Sequence, residues 1–467
     1  MFDSKTYTER RNKLKSSVGS GLILLPGNQE VGMNYRDNIY HFRQDSTFLY
    51  YTGIDLPDLV FIIDIDNDTE ILFGNDFTID QIVWTGPKEP LPSFAAKAAI
   101  GAIQPLTAIE NFLGNARKKQ QAIHFIAPYR AEITLQLAEW LGILPALLRP
   151  QASPDLVRAV INQRSYKSVD EVAEIHKAVD LTAAMQLKAI ELSRPGITEY
   201  EVAGHLQGIA ASGGGNIAFP VILTVDGQYL HNHPGGNRLG SGQLVLCDCG
   251  AETALHYAGD LTRTFPVDGN FTTQQREVYD IVLQSQKAAI AALQPGKLFR
   301  DIHLLACQKL VDGLKQLGLV KGDSSEAVSL GVHTLFFQCG LGHMMGLDVH
   351  DMENLGEENV GYTDTVRKST EFGLKSLRLG KALEEGFVVT IEPGIYIIPE
   401  LLDQWRAEKK HPDFINYDKV ASFRKFGGIR IEEDFLITAS GSTLLGKPLA
   451  KEADEVEMLR QLNNLKI

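Results

Sequence analysis

Short apolar runs alternate with helical periodicity over roughly the first 165 residues. Residues 21–27 read as a strand closed by Pro26 and Gly27. Residues 58–65 and 69–74 read as a hairpin across Asp66-Asn67-Asp68, and 121–126 as a further strand. Helices are predicted over 8–18 and over 132–141. The pattern changes near 162–168. Ser168 with Glu171, and Thr198 with Glu201, are capping boxes that open two helices, the first running to about Ser193 before Pro195-Gly196. Strands are then predicted over 219–225, 243–249, 253–257 and 262–267, helices over 272–293, 302–317 and 327–337, and strands again over 387–391 and 428–438. The pattern predicts an α/β domain over residues 1–165 and an α+β domain over 166–467.

A chain of 467 residues has room for two such domains, each with its own core. The net charge of −13, without a lysine or arginine block, argues against nucleic acid or an anionic membrane as partner. No apolar run is long enough to span a bilayer, and no apolar segment follows the N-terminal charges. The four cysteines, Cys247, Cys249, Cys307 and Cys339, form no CxxC pair and no disulfide framework, so a reducing, cytoplasmic setting is expected. Cys247 and Cys249 alternate around Asp248 and are predicted as buried thiols on the opposite strand face.

The candidate chemistry lies in the second domain, around Gly340-Leu341-Gly342-His343-Met344-Met345-Gly346-Leu347-Asp348-Val349-His350-Asp351. Asp248 and Asp260 fall on or just after neighbouring short strands, Glu392 ends an apolar strand before Pro393-Gly394, and Glu432 is expected on the last strand, facing the same way as Arg430. Each acid directed inward from an apolar strand is costly unless paired or metal-bound. Four carboxylates and His343 fill a pair of divalent cations, and one imidazole tilts the choice towards Mn²⁺, Co²⁺ or Zn²⁺ rather than Ca²⁺. Two such ions about 3.5–4 Å apart need carboxylates that bridge them.

These motifs resemble the pita-bread metallopeptidases, in the branch containing aminopeptidase P and prolidase. The resemblance rests on Asp248-x-Gly250, Asp260-x-Thr262-Arg263-Thr264, Gly342-His343, Gly346-Leu347-Asp348-Val349-His350-Asp351, Ile391-Glu392-Pro393-Gly394-Ile395-Tyr396 and Gly428-Ile429-Arg430-Ile431-Glu432-Glu433-Asp434. The run 423–434 looks closest to prolidases, and Phe42-Arg43-Gln44-Asp45-Ser46 resembles the opening of the family's smaller, creatinase-type N-terminal domain.

The resemblance implies a peptidase that cuts between an N-terminal residue and proline. Asp248, Asp260 and Glu432 would hold one cation, and Asp260, His343, Glu392 and Glu432 the other, most simply Mn²⁺. Glu392 would move the proton of the attacking water, with His350 and His231 on the substrate side. Arg430 would orient Asp248, Tyr396 would line the pocket, and Arg378 would meet a substrate carboxylate, unless it is a surface arginine. Trp84 matches a motif that reaches a neighbouring subunit, which implies a homo-oligomer, unless it is an ordinary half-buried tryptophan. Cys339 stands where the family usually has histidine, and the Asp248–Asp260 spacing is one residue long, which a bulge or turn can absorb. Aminopeptidase and dipeptidase activity both remain open, beside a catalytically weakened, peptide-binding alternative and a metal-free, creatinase-like hydrolase.

Overall fold

Strand β2 (Val60–Asp64) is buried along its whole length because it sits in the middle of a five-stranded sheet. In this computed structural model, which describes residues 1–464, the first unit spans Met1–Arg164 and the second begins at Ser165. In the first unit β1 (Leu22–Pro26) and β3 (Thr69–Phe73) flank β2 antiparallel, while β4 (Ala102–Gln104) and β5 (Ile123–His124) close the edges in parallel. Leu24, Ile62, Phe73, Leu113, Leu137 and Trp140 form its core. The Ser4–Val18 helix sinks Arg11 completely, and its guanidinium donates to Glu70 Oε2 at 2.8 Å and to the carbonyls of Tyr51 and Ala99. The charge is thus paired and its donors are used.

Among the described residues the second unit carries three small sheets. β6 (Ile222–Thr224), β7 (Leu244–Cys249) and β8 (Leu261–Pro266) form one; β9 (Val388–Ile391) joins β12 (Glu433–Thr438) and β13 (Gly441–Leu444) in another; β10 (Gly394–Tyr396) pairs with β11 (Gly428–Arg430). Both capping boxes are formed, opening the Val169–Leu192 and Glu199–Ser212 helices. From the first of these, buried Gln186 donates to the carbonyls of Cys247 (3.1 Å) and Leu261 (2.5 Å), tying the helix to β7 and β8 together. Among the described residues no single helix is long and apolar enough to cross a membrane.

Three expectations are corrected. Residues 253–257 form no strand: they turn between β7 and β8, with Thr253 N bonded to Tyr257 O and His256 at φ +65°. The predicted 327–337 helix is broken. The Ser324–Ser329 helix stops, Gly331 takes φ +77°, and Val332–Leu335 continues as a 3₁₀ turn. The predicted 428–438 strand is two strands in two sheets, and Glu432 lies in the break rather than on a strand. The break is held from β8: Glu432 N donates to Thr262 O at 3.1 Å, and Arg263 Nη1 donates to Glu432 O at 2.8 Å.

Arg263 is fully buried, pairs with Glu433 at 3.1 Å and also donates to the Leu449 and Ala450 carbonyls. Arg263→Met leaves Glu433 with Lys451 alone and several carbonyls without a donor. It is expected to lower the unfolding free energy by about 3 kcal/mol, read from the denaturant midpoint. An unchanged midpoint would show that the break at Glu432 is held by other contacts.

Candidate metal centre

The backbone brings five separated side chains to one cavity of about 450 Å³. Asp248 comes from β7 and Asp260 from the residue before β8. In the antiparallel pairing of β9 with β12, Glu433 faces Ile391, so Glu392 and Glu432 leave the ends of that pair side by side. His343 is brought in by the glycine-rich stretch, which runs along β9: Thr390 N donates to His343 O at 3.0 Å and Glu392 N to Leu341 O at 2.8 Å. This approach requires Gly342, where a Cβ would lie 2.1 Å from the Thr390 carbonyl oxygen.

One oxygen or nitrogen from each of Asp260, His343 and Glu432 lies within 4.8 Å of the others. His343 Nε2 is 3.5 Å from Asp260 Oδ2 and 3.6 Å from Glu392 Oε1. Its Nδ1 lies 3.0 Å from the Met344 carbonyl and must donate to it, so the neutral ring turns a bare Nε2 towards the two carboxylates. Burial holds His343 well below the ordinary imidazole range, reinforced by His350 and Arg378. Burial pushes Asp260 and Glu432 well above the carboxylate range, and the neighbouring acids push them further. Glu392 is also raised by burial. Oδ1 of Asp248 and Oδ1 of Asp260 are buried without a hydrogen-bond donor among the described residues. A bare imidazole nitrogen, four convergent carboxylates and two orphaned oxygens fit divalent cations, and little else that is soluble.

Neighbouring groups aim these side chains. Arg430 Nη2 donates to Asp248 Oδ2 at 2.5 Å and Nε to Thr262 Oγ1 at 3.0 Å, while Thr262 Oγ1 donates to Glu432 Oε2 at 2.7 Å. Asp434 Oδ2 accepts the Asp260 backbone N–H at 3.1 Å. Thr390 Oγ1 accepts the His343 backbone N–H at 3.1 Å and lies 3.5 Å from Glu392 Oε1. Thr262 and Asp434 stand inside motifs noted in the sequence, but their roles as holders of ligands were not foreseen.

His231, Cys339, His350 and Arg378 line the same cavity. The His350 ring lies 4.4 Å from the His343 ring, and its Nδ1 is 2.5 Å from Glu353 Oε2. Arg378 Nε lies 3.4 Å from the same oxygen. The His350 bond and Arg378 hold Glu353 ionised, down to about 2. Glu353 was missed; its place three residues after His350 was the available signal. Burial pushes the Cys339 thiol up to about 12, so it stands as a neutral thiol. Two expectations do not hold. Tyr396 does not line the cavity; it is fully buried, and its hydroxyl accepts from Arg430 Nη1 at 3.0 Å. Trp84 is not half-buried: it is 86% exposed on the Ile79–Thr85 helix of the first unit, a helix with no buried residue.

Residues 173–439 match metallopeptidase family M24, and residues 7–124 match the aminopeptidase P N-terminal domain. The chain is 31% identical to the Xaa-Pro aminopeptidase of Escherichia coli (strain K12), covering 97% of each. It is 28% identical to the Xaa-Pro dipeptidase of Homo sapiens, covering 94% of this chain and 88% of that one. Among solved structures, zinc-substituted E. coli aminopeptidase P in complex with product superposes with a TM-score of 0.80 at 28% identity, over 99% of both chains.

In metal-free protein the raised acids bind protons more tightly folded than unfolded. Their contribution to stability is therefore present below the ordinary carboxylate range and lost as pH rises through it towards the raised folded values. Bound cations need the ionised acids and remove this loss. The gap in Tm between Mn²⁺-loaded and chelator-stripped protein is thus expected to widen by several degrees from about pH 6 to about pH 8. A gap independent of pH would contradict the clustering of these acids on cations.

Proposed function

The chain belongs to metallopeptidase family M24, and from that premise we propose that it is an exopeptidase hydrolysing the bond between an N-terminal residue and proline, with two divalent cations per chain. The observation that carries this reading is the convergence of Asp248, Asp260, His343, Glu392 and Glu432 on the wall of one cavity. Asp248, Asp260 and Glu432 would hold one cation, and Asp260, His343, Glu392 and Glu432 the other. Cations bound there would lower the proton cost of a water and polarise the scissile carbonyl. Manganese suits a set of four carboxylates and one imidazole, with Co²⁺ or Zn²⁺ as alternatives.

The chain's own groups do the rest. Arg430 fixes one oxygen of Asp248 and leaves the other free to ligate. Glu392, raised by burial, accepts the proton of the attacking water and passes it on. Glu353 takes the Nδ1–H of His350 and leaves Nε2 facing the substrate; with its second proton, as the imidazolium that the Glu353 carboxylate stabilises, the ring can donate from Nε2 to the carbonyl oxygen or to the departing proline nitrogen. His231, on the same wall, offers a second contact to the substrate.

The presence of Arg378 on the wall favours a dipeptidase, since a guanidinium there can meet the carboxylate of an Xaa-Pro dipeptide. Its pairing with Glu353 and Glu357 opposes that role and favours an aminopeptidase. The four free cysteines support a reducing, cytoplasmic setting. The exposed Ile79, Val83 and Trp84 support assembly into a homo-oligomer.

With Mn²⁺ bound, the protein is expected to release the first residue from Xaa-Pro or Xaa-Pro-Yaa peptides and not from Xaa-Ala controls. Cleavage of the tripeptides assigns aminopeptidase activity, cleavage of dipeptides alone assigns dipeptidase activity, and cleavage of neither refutes the reading. Glu392→Gln should lower kcat by about 10²–10⁴-fold. Cys339→His should keep the metal content and change kcat/KM by about tenfold or more, the scale of one gained hydrogen-bond donor; loss of the metals would place Cys339 among the groups that hold them.

A further inference from the structure

Three side chains that the peptidase chemistry leaves unused meet in the core of the second unit. His303 and Cys307 stand four residues apart on the Phe299–Gln316 helix and so share a face. His333 meets them from the Val332–Leu335 turn, which Gly331 swings out of the preceding helix. One ligand atom from each lies within 4.8 Å of the other two, and Cys307 Sγ is 3.4 Å from His303 Nε2. None of the three is more than 2% exposed.

Beyond the Cys307–His303 contact, the protein leaves these groups unsatisfied. His303 Nδ1 and both ring nitrogens of His333 lack a hydrogen-bond partner among the described residues. A buried polar atom left so costs about 1–3 kcal/mol, and an ion held among the three side chains would relieve one nitrogen of His333. Burial holds His303 down at about 3 and His333 at about 4, the latter partly offset by the nearby Val328 carbonyl. Both rings are therefore neutral, the state in which imidazole ligates a metal.

We propose that His303, Cys307 and His333 form a site for one soft monovalent cation of the copper(I) class, separate from the peptidase cations. The cluster contains no carboxylate, so it offers nothing to the hard ions of the active centre. One thiolate and two imidazoles are the donors that soft d¹⁰ ions select. Charge chooses within that class. With the thiol proton released to solvent and a sulfur–metal bond formed, the thiolate cancels a monovalent ion. A divalent ion would leave net charge in an apolar interior, at a cost of several kcal/mol. Size agrees: bonds of about 2.3 Å to sulfur and about 2.0–2.1 Å to nitrogen place the two donors about 3.5–3.8 Å apart at tetrahedral to trigonal angles. No electron is transferred on binding. Cys339, on the wall of the peptidase cavity, lies close enough to raise the Cys307 thiol beyond what burial does.

Because the three groups are buried, the ion is best supplied during folding. The full chain is expressed with added copper, purified without oxygen, loaded with Mn²⁺ and challenged with a copper(I) chelator, and retained metals are counted. Wild type should keep a single copper per chain, with one sulfur and two nitrogens around it by X-ray absorption. Cys339→Ala should keep it too, which excludes the neighbouring thiol. Cys307→Val should retain at least about tenfold less copper with unchanged manganese content. Should Cys307→Val fail to fold, His333→Phe and the wild-type absorption spectrum carry the test. Wild type without copper, equal retention in Cys307→Val or His333→Phe, or zinc in place of copper at these residues would each overturn the proposal.

Discussion

Three buried carboxylates and a fourth, Glu392, that is partly buried face one neutral imidazole, and this is the constraint around which the second unit is built. Two like charges about 4 Å apart repel by about 4 kcal/mol even at an effective dielectric constant of 20. Burial pushes Asp260 and Glu432 well up, and several such neighbours push each of them further. Arg430 is buried among these acids, but its Nη2 is committed to Asp248 and its Nε to Thr262. Most of the negative charge is therefore left for cations to balance. The unit folds around a deficit that bound metal is meant to fill.

The backbone achieves this by ending its strands at the site. β9 stops at Ile391 and β12 starts at Glu433, so the paired ends release Glu392 and Glu432 together. The break between β11 and β12 lets one short segment place Arg430 on one sheet and Glu432 between two. Arg263 and Thr262 of β8 hold that break, and Thr262 also holds the Glu432 carboxylate. The metal side of the cavity is thus stiff. Across from these ligands in chemical role, His350, Glu353 and Arg378 form a chain of charge-assisted contacts on an irregular stretch. The four carboxylates come from strands or their ends and His343 from the glycine-rich stretch held along β9, whereas His231, His350 and Arg378 come from loops.

Much of this was legible in the sequence. Capping boxes at Ser168 and Thr198 are local chemistry and formed as read. Carboxylates at the ends of apolar runs pointed to Asp248, Asp260, Glu392 and Glu432, because an inward-facing acid is improbable without compensation. What was not legible depends on partners distant in sequence. Residues 428–438 look like one strand; bonds to partners distant in sequence, from Arg263 and Gln286 and to Thr262, hold the break. Residues 253–257 have strand composition but close a turn. The 327–337 pattern is helical on paper, yet Gly331 at positive φ diverts it. Tyr396 was read onto the pocket wall, whereas Arg430 takes its hydroxyl behind it. His303 and Cys307 show helical spacing, but nothing in the sequence announces that His333 meets them.

The central claim is that the crowding of acids is tolerated because two cations divide it. Anomalous diffraction from crystals of the Mn²⁺-loaded protein tests this most directly. The account predicts two manganese peaks about 3.5–4 Å apart, both touching Asp260 and Glu432, with His343 on only one of them. A single peak, or none within reach of Asp260, His343 and Glu432, would contradict it.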